Sequence, residues 1–167
     1  AKIGYTVNFG DLTTIDTLTY VNFPVEAQHL IDSTSAESLV HKGDPFDVST
    51  LEGERTRLST LFRNNGYFYW QPSYASYLAD TTSVPGKVQV RLQAIEKLPA
   101  KAKRPWYVGN ICIDLRKNYL DALTDSFQRG SFMVRFRGRR PPLRVPVILQ
   151  GTKLRSHKLY SYQDYQE

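Results

Sequence analysis

The feature that most constrains this chain is its likeness to itself. Ile15-Asp16-Thr17-Leu18-Thr19-Tyr20 lines up with Val108-Gly109-Asn110-Ile111-Cys112-Ile113 at an offset of 93 residues. Both read apolar-x-x-apolar-x-apolar. Further on, Gly43-Asp44-Pro45-Phe46-Asp47 lines up with His157-Lys158-Leu159-Tyr160-Ser161 at an offset of 114, an aromatic residue standing before a helix-capping residue each time. A third pair, the alternating runs from Lys2 to Phe9 and from Lys87 to Ala94, is offset by 85. Matches that keep one order along a chain are the mark of tandem structural units. The step from 93 to 114 places about 21 extra residues in the second copy, over 116–137. The 167 residues therefore read as a cut from a longer array, and any leader segment is expected upstream or removed.

The local pattern supplies the elements. Thr13 to Phe23 is β-prone, is stopped by Pro24, and is followed by a short helix over 25–32 with Val25, Leu30 and Ile31 as core candidates. The clearest helix starts at Asp47 or Ser49, where Ser49-Thr50-Leu51-Glu52 has the form of a capping box. Leu51, Leu58, Leu61 and Phe62 share its apolar side, with Glu54, Arg57 and Arg63 assigned to the other. Asn65-Gly66 ends it. The aromatic run Tyr67-Phe68-Tyr69-Trp70, with Tyr74 and Tyr77, reads as a strand that Pro72 marks as an edge. Lys87 to Ile95 alternates strictly, with Val88, Val90, Leu92 and Ala94 inward. The order over 13–95 is β-α-α-β-β. Residues 97–105 read as a linker. Strands follow from Trp106 to about Leu115 and over 131–137, then a short helix near Pro146.

Charge divides the chain. Residues 1–96 hold 7 basic and 11 acidic groups, whereas 97–158 hold 15 basic and 3 acidic. Arg135, Arg137, Arg139, Arg140 and Arg144 form the densest basic patch, a candidate surface for nucleic acid, lipid headgroups or acidic protein. Catalytic chemistry has no visible seat. His29, His41 and His157 are not at ligand spacing, Cys112 has no partner cysteine, and Glu52 and Glu54 stand at a spacing that does not face a common point. We expect no enzyme, no metal and no cofactor. No apolar run is long enough for a membrane-spanning helix.

Gly43-Asp44-Pro45-Phe46-Asp47, then Glu54-Arg55-x-Arg57-Leu58, then Leu61-Phe62-Arg63-Asn64-Asn65-Gly66-Tyr67-Phe68, then Asp80-Thr81-Thr82 resembles a POTRA (polypeptide-transport-associated) domain. The likeness is to the versions in Bacteroidetes-type outer-membrane assembly proteins of the BamA/TamA kind. Arg104-Pro105-Trp106-Tyr107-Val108-Gly109-Asn110-Ile111 resembles the opening strand of the next unit, and Leu159-Tyr160-Ser161 its second-helix cap. The glycine of that cap is replaced by His157, so a different cap geometry is expected there. The resemblance implies an α+β fold, a small mixed sheet with two helices on one face. It implies the last strand of a preceding unit at 1–9, a complete unit at 10–96, a linker at 97–105, and the start of another unit at 106–167. It further implies a periplasmic scaffold at the outer membrane, ahead of a β-barrel of the same full-length chain. Its partners would be unfolded outer-membrane clients and accessory assembly subunits, and the periplasmic reading permits lipid headgroups at the basic patch. Client docking by strand addition is expected at the edge strand bearing Tyr67, Phe68, Tyr69, Trp70, Tyr74 and Tyr77, the plainer alternative being that Phe68, Trp70 and Tyr77 are core. The alternative is a basic module binding nucleic acid or an anionic surface.

Overall fold

The computed structural model describes residues 12–166. The strand expected over Lys2 to Phe9 lies outside the described residues. The chain divides into two compact units. One takes in the described residues up to Ser59 together with Gln71–Leu98; the other takes in Thr60–Trp70 and the chain from Pro99 onward.

The first unit is α+β. Strand β1 (Thr14–Val21) leads through helix α1 (Val25–Ser33) to helix α2 (Val48–Asn64), whose residues up to Ser59 belong here, and then to β2 (Ala75–Asp80) and β3 (Lys87–Ala94). The sheet order is β1-β3-β2, with β3 parallel to β1 and antiparallel to β2. Central β3 buries all four residues that its alternation assigns inward, Val88, Val90, Leu92 and Ala94. Opposite it, Ile15 pairs with Val88 and Leu18 with Val90, although Asp16 and Thr17 both lie between Ile15 and Leu18 while Gln89 alone lies between their partners. A bulge between Ile15 and Thr17 absorbs the extra residue, which is the physical reason for the apolar-x-x-apolar spacing. Ile15, Val40, Leu51, Val88 and Val90 form the core cluster. Val25, expected inside, is 74% exposed; Ala27 and Ile31 carry the buried face of α1 instead.

In the second unit, β4 (Ile111–Leu115), β5 (Asp125–Arg129) and β6 (Phe132–Phe136) form a sheet of order β4-β6-β5. Its strand senses repeat those of the first sheet: β4 and β6 are parallel, β5 and β6 antiparallel. The segment without a counterpart in the first copy thus supplies a hairpin. A two-residue Gly130-Ser131 loop closes it, with Gly130 at φ +60° as such loops require. Val134 and Phe136 are buried, and the Phe127 ring stands 6.1 Å from Phe136. Helix α3 (Val145–Gln150) follows, with Pro146 in its first turn and Ile148 buried. Helix α4 (Tyr162–Gln166) ends the described chain. The strand expected from Trp106 is shorter than its pattern, since the ladder begins only at Ile111.

Candidate functional site

Three backbone hydrogen bonds clasp the start of β1 to the segment before α2. Phe46 N–H donates to Thr13 O (2.9 Å), Ile15 N–H to Asp44 O (2.8 Å), and Gly43 N–H to Ile15 O (2.7 Å). In the second unit Tyr160 N–H donates to Trp106 O (2.9 Å), Val108 N–H to Lys158 O (2.8 Å), and His157 N–H to Val108 O (2.7 Å). Every member is displaced by the 93 or 114 residues read from the sequence. The caps repeat as well. Asp47 accepts from Thr50 N–H (2.9 Å) at the start of α2, and Ser161 accepts from Asp164 N–H (3.3 Å) at the start of α4. The hydroxyls of Ser49 and Thr50 and their backbone N–H groups hold the Asp47 carboxyl down at about 2. The capping residue is Asp47 rather than Ser49, and Glu52 turns aside to accept a hydrogen bond from Tyr77 Oη (2.7 Å).

Glu54 corrects the sequence reading. It is 1% exposed, not on the solvent side of α2. Its carboxylate accepts from Arg57 Nε (2.9 Å) and Nη2 (2.7 Å), Tyr20 Oη (2.7 Å) and Leu39 N–H (2.9 Å). Burial pushes its pKa up, but the Arg57, Leu39 and Tyr20 donors outweigh it, so the net direction is down. Burial, with the Glu54 carboxylate adding to it, pushes Tyr20 up to about 12. Four donors on one carboxylate tie β1, the loop before Val40 and α2 together. This is a structural knot.

The aromatic run is not one strand. Gly66 takes φ +93°, Trp70 N–H turns back to Tyr67 O, and Pro72–Tyr74 makes a 3-10 turn, so β2 starts only at Ala75. Tyr67 and Trp70 are buried, the Trp70 ring packing edge-on to Phe62 at 4.8 Å. Phe68 packs edge-on to Tyr160 (4.9 Å), and Tyr69 to Trp106 (5.3 Å), with the Lys101 ammonium 4.5 Å above the Tyr69 ring. Of the six expected docking aromatics only Tyr77 lies on β2, half-buried; Tyr74 immediately precedes it.

Among the described residues β2 is nevertheless an edge strand, paired to β3 on one side only. Ile95 N–H donates to Tyr74 O (3.0 Å). By the antiparallel alternation, Ser76, Leu78 and Asp80 then bond β3, and Ala75, Tyr77 and Ala79 turn their N–H and C=O groups outward. On the open face of the same sheet, Leu78, Asp80, Thr17, Thr19, Gln89 and Arg91 line a shallow polar groove. The basic patch is partly neutralised. Arg135 makes a two-pronged pair with Asp114 (2.7 and 2.9 Å), and Arg137 pairs with Asp121 (2.9 Å). Arg139, Arg140 and Arg144 are exposed and have no carboxylate partner among the described residues. Among the described residues no cluster of His, Cys, Asp or Glu has the arrangement of a metal site, and no helix is long and apolar enough to cross a membrane.

No known family profile matches the chain. No curated protein matches it either. Among solved structures, the crystal structure of Haemophilus influenzae BamA POTRA3-5 is similar, with a TM-score of 0.48 and 12% identity. The match covers 92% of this chain and 47% of that one, so this chain spans about half its length.

Proposed function

We propose that the chain is a POTRA-like scaffold at the periplasmic face of an outer membrane, part of a protein assembly or translocation factor. It works by positioning other chains and not by chemistry of its own. The resemblance in Gly43 to Asp47, Glu54 to Leu58 and Leu61 to Phe68 suggests the family. The observation that carries the reading is the repeated clasp and cap, because two units built on one plan are what a tandem scaffold requires. Among the described residues the order β1-β3-β2 leaves β2 open, and an open edge pairs an extended client through its backbone with little demand on client sequence. Accessory subunits and a β-barrel of the same full-length chain are the partners this role entails.

The test separates edge pairing from simple folding. Proline at Ala79 removes an outward N–H, whereas proline at Leu78 removes one that bonds β3. A chain with Ala79→Pro is expected to keep its far-UV circular dichroism and lose binding of an extended outer-membrane-strand peptide, read by isotope-edited NMR. Undiminished binding by Ala79→Pro, with peptide shifts mapping away from β2, overturns the docking edge.

A further inference from the structure

We propose that the second unit carries a surface for an anionic lipid bilayer, built from the loop after β4 and the basic segment after β6. This is independent of client pairing at β2. The loop is braced and not merely loose. Arg116 Nη1 donates to Tyr119 O (3.2 Å) and Asp121 O (2.9 Å), and Asn118 N–H donates to the Asp121 carboxylate (3.1 Å). Arg137 then fastens Asp121 to the end of β6. This bracing holds Tyr119 and Leu120 at the tip, 91% and 90% exposed. A large apolar pair held out into water is unfavourable unless something covers it.

The surroundings specify what does. Arg116, Lys117 and Asn118 from the loop face Arg137, Pro142 and Leu143 across one open groove of about 510 Å³. Residues 116–155 contain ten Lys or Arg and two Asp. Asp114 and Asp121 are spent on Arg116, Arg135 and Arg137, and Lys117, Arg139, Arg140 and Arg144 keep no carboxylate among the described residues. Leu143 and Val147 are half exposed in the same segment. An exposed tyrosine and leucine at the loop tip, half-exposed leucine and valine in the basic segment, and unpaired arginines among them are the residue types that suit an interface between water and anionic lipid. A nucleic-acid surface would use the arginines and the tyrosine but leave Leu120, Leu143 and Val147 without a role.

The experiment is vesicle co-sedimentation of the 167-residue chain on phosphatidylcholine alone and on phosphatidylcholine mixed with phosphatidylglycerol. Binding is expected only to the mixed vesicles. Each rim charge is worth roughly fivefold, so Arg139→Ala with Arg140→Ala should weaken binding roughly 25-fold at low salt. Tyr119→Ser with Leu120→Ser should weaken it at least roughly tenfold, and this loss should persist at high salt because it is apolar. Equal binding to both vesicle types, no binding, or full binding by both double variants overturns the proposal. A salt-sensitive complex with a single-stranded oligonucleotide and no vesicle binding overturns it in favour of nucleic acid.

Discussion

His157 does for the second unit what Gly43 does for the first. Each takes a left-handed backbone conformation, φ +62° and φ +92°, and each donates its N–H at 2.7 Å to the strand residue it clasps, Val108 or Ile15. The substitution of histidine for glycine leaves the geometry of the clasp intact and changes only its cost, because a Cβ is disfavoured in this conformation.

His157→Gly should therefore stabilise the second unit by about 1 kcal/mol, the left-handed penalty less the entropy of the added glycine. Both tryptophans, Trp70 and Trp106, belong to that unit, so urea unfolding followed by tryptophan fluorescence reports it. Gly43→Ala meets no atom within 4 Å of its new Cβ and should cost about 1 kcal/mol from backbone strain alone, read by circular dichroism. A destabilised His157→Gly variant would show that the imidazole, not the backbone, matters at that turn.

Glu54→Gln should cost about 2 kcal/mol at neutral pH, the scale of hydrogen bonds to a charged group, since it leaves the Arg57 guanidinium facing a neutral amide. The native carboxyl titrates below its unfolded value. Its contribution is complete above the unfolded carboxylate range, about 4.3, and is lost as pH falls through the lower native value. The gap between wild type and Glu54→Gln should accordingly close on acidification. At the alkaline end Tyr20 titrates near 12 when folded, so its contribution is whole below the unfolded value of about 10 and fades as pH rises towards 12. Urea midpoints across pH, for wild type, Glu54→Gln and Tyr20→Phe, check both limbs.

What the sequence revealed and what it concealed have physical causes. The offsets of 93 and 114 were legible because a clasp of three backbone bonds, a left-handed turn and a cap each fix a spacing. Glu54 was placed on the wrong side although it stands between Leu51 and Leu58 at the helical spacing of a buried stripe. Its charge argued for water, and besides Arg57 on its own helix the groups that solvate it, Tyr20 Oη and Leu39 N–H, come from elsewhere in the chain. The strand over Tyr67 to Tyr77 was overdrawn because aromatic residues suit strands, but Gly66 and Pro72 break the backbone on either side of Trp70. β5 escaped notice because its only large apolar residue is Phe127, and one residue shows no period. The extent of Arg135 and Arg137 pairing was likewise hidden, since Asp114 and Asp121 are distant in sequence.

The aromatic run separates into core and surface by mutation. Trp70→Ala should cost about 3–5 kcal/mol, the usual range for a large aromatic truncated in a core, because its ring is buried edge-on to Phe62. Phe68, 46% exposed, should lose about 1 kcal/mol on conversion to serine, mainly its ring contact with Tyr160. With Trp70 removed, circular dichroism rather than fluorescence is the readout. A near-neutral Trp70→Ala would mean that the ring is available for docking after all.

Gly66 gives the sharpest steric prediction. Its carbonyl accepts from Trp106 N–H at 2.8 Å, and its φ is +93°. A Cβ there would stand 2.6 Å from Leu159 Cδ1 and 2.8 Å from Pro105 Cβ. Strain and overpacking act together, so Gly66→Ala should cost about 2–4 kcal/mol in the second unit. Gly130, also left-handed but with nothing within 4 Å, should cost only about 1 kcal/mol on the same change. Pairing Gly66→Ala with Leu159→Ala tests the mechanism, since trimming Leu159 makes room for the methyl group. The double variant should then lose less than the two single losses added together, measured by tryptophan fluorescence in urea. Strict additivity would show that backbone strain alone sets the cost and that the approach of Leu159 to Gly66 carries none of it.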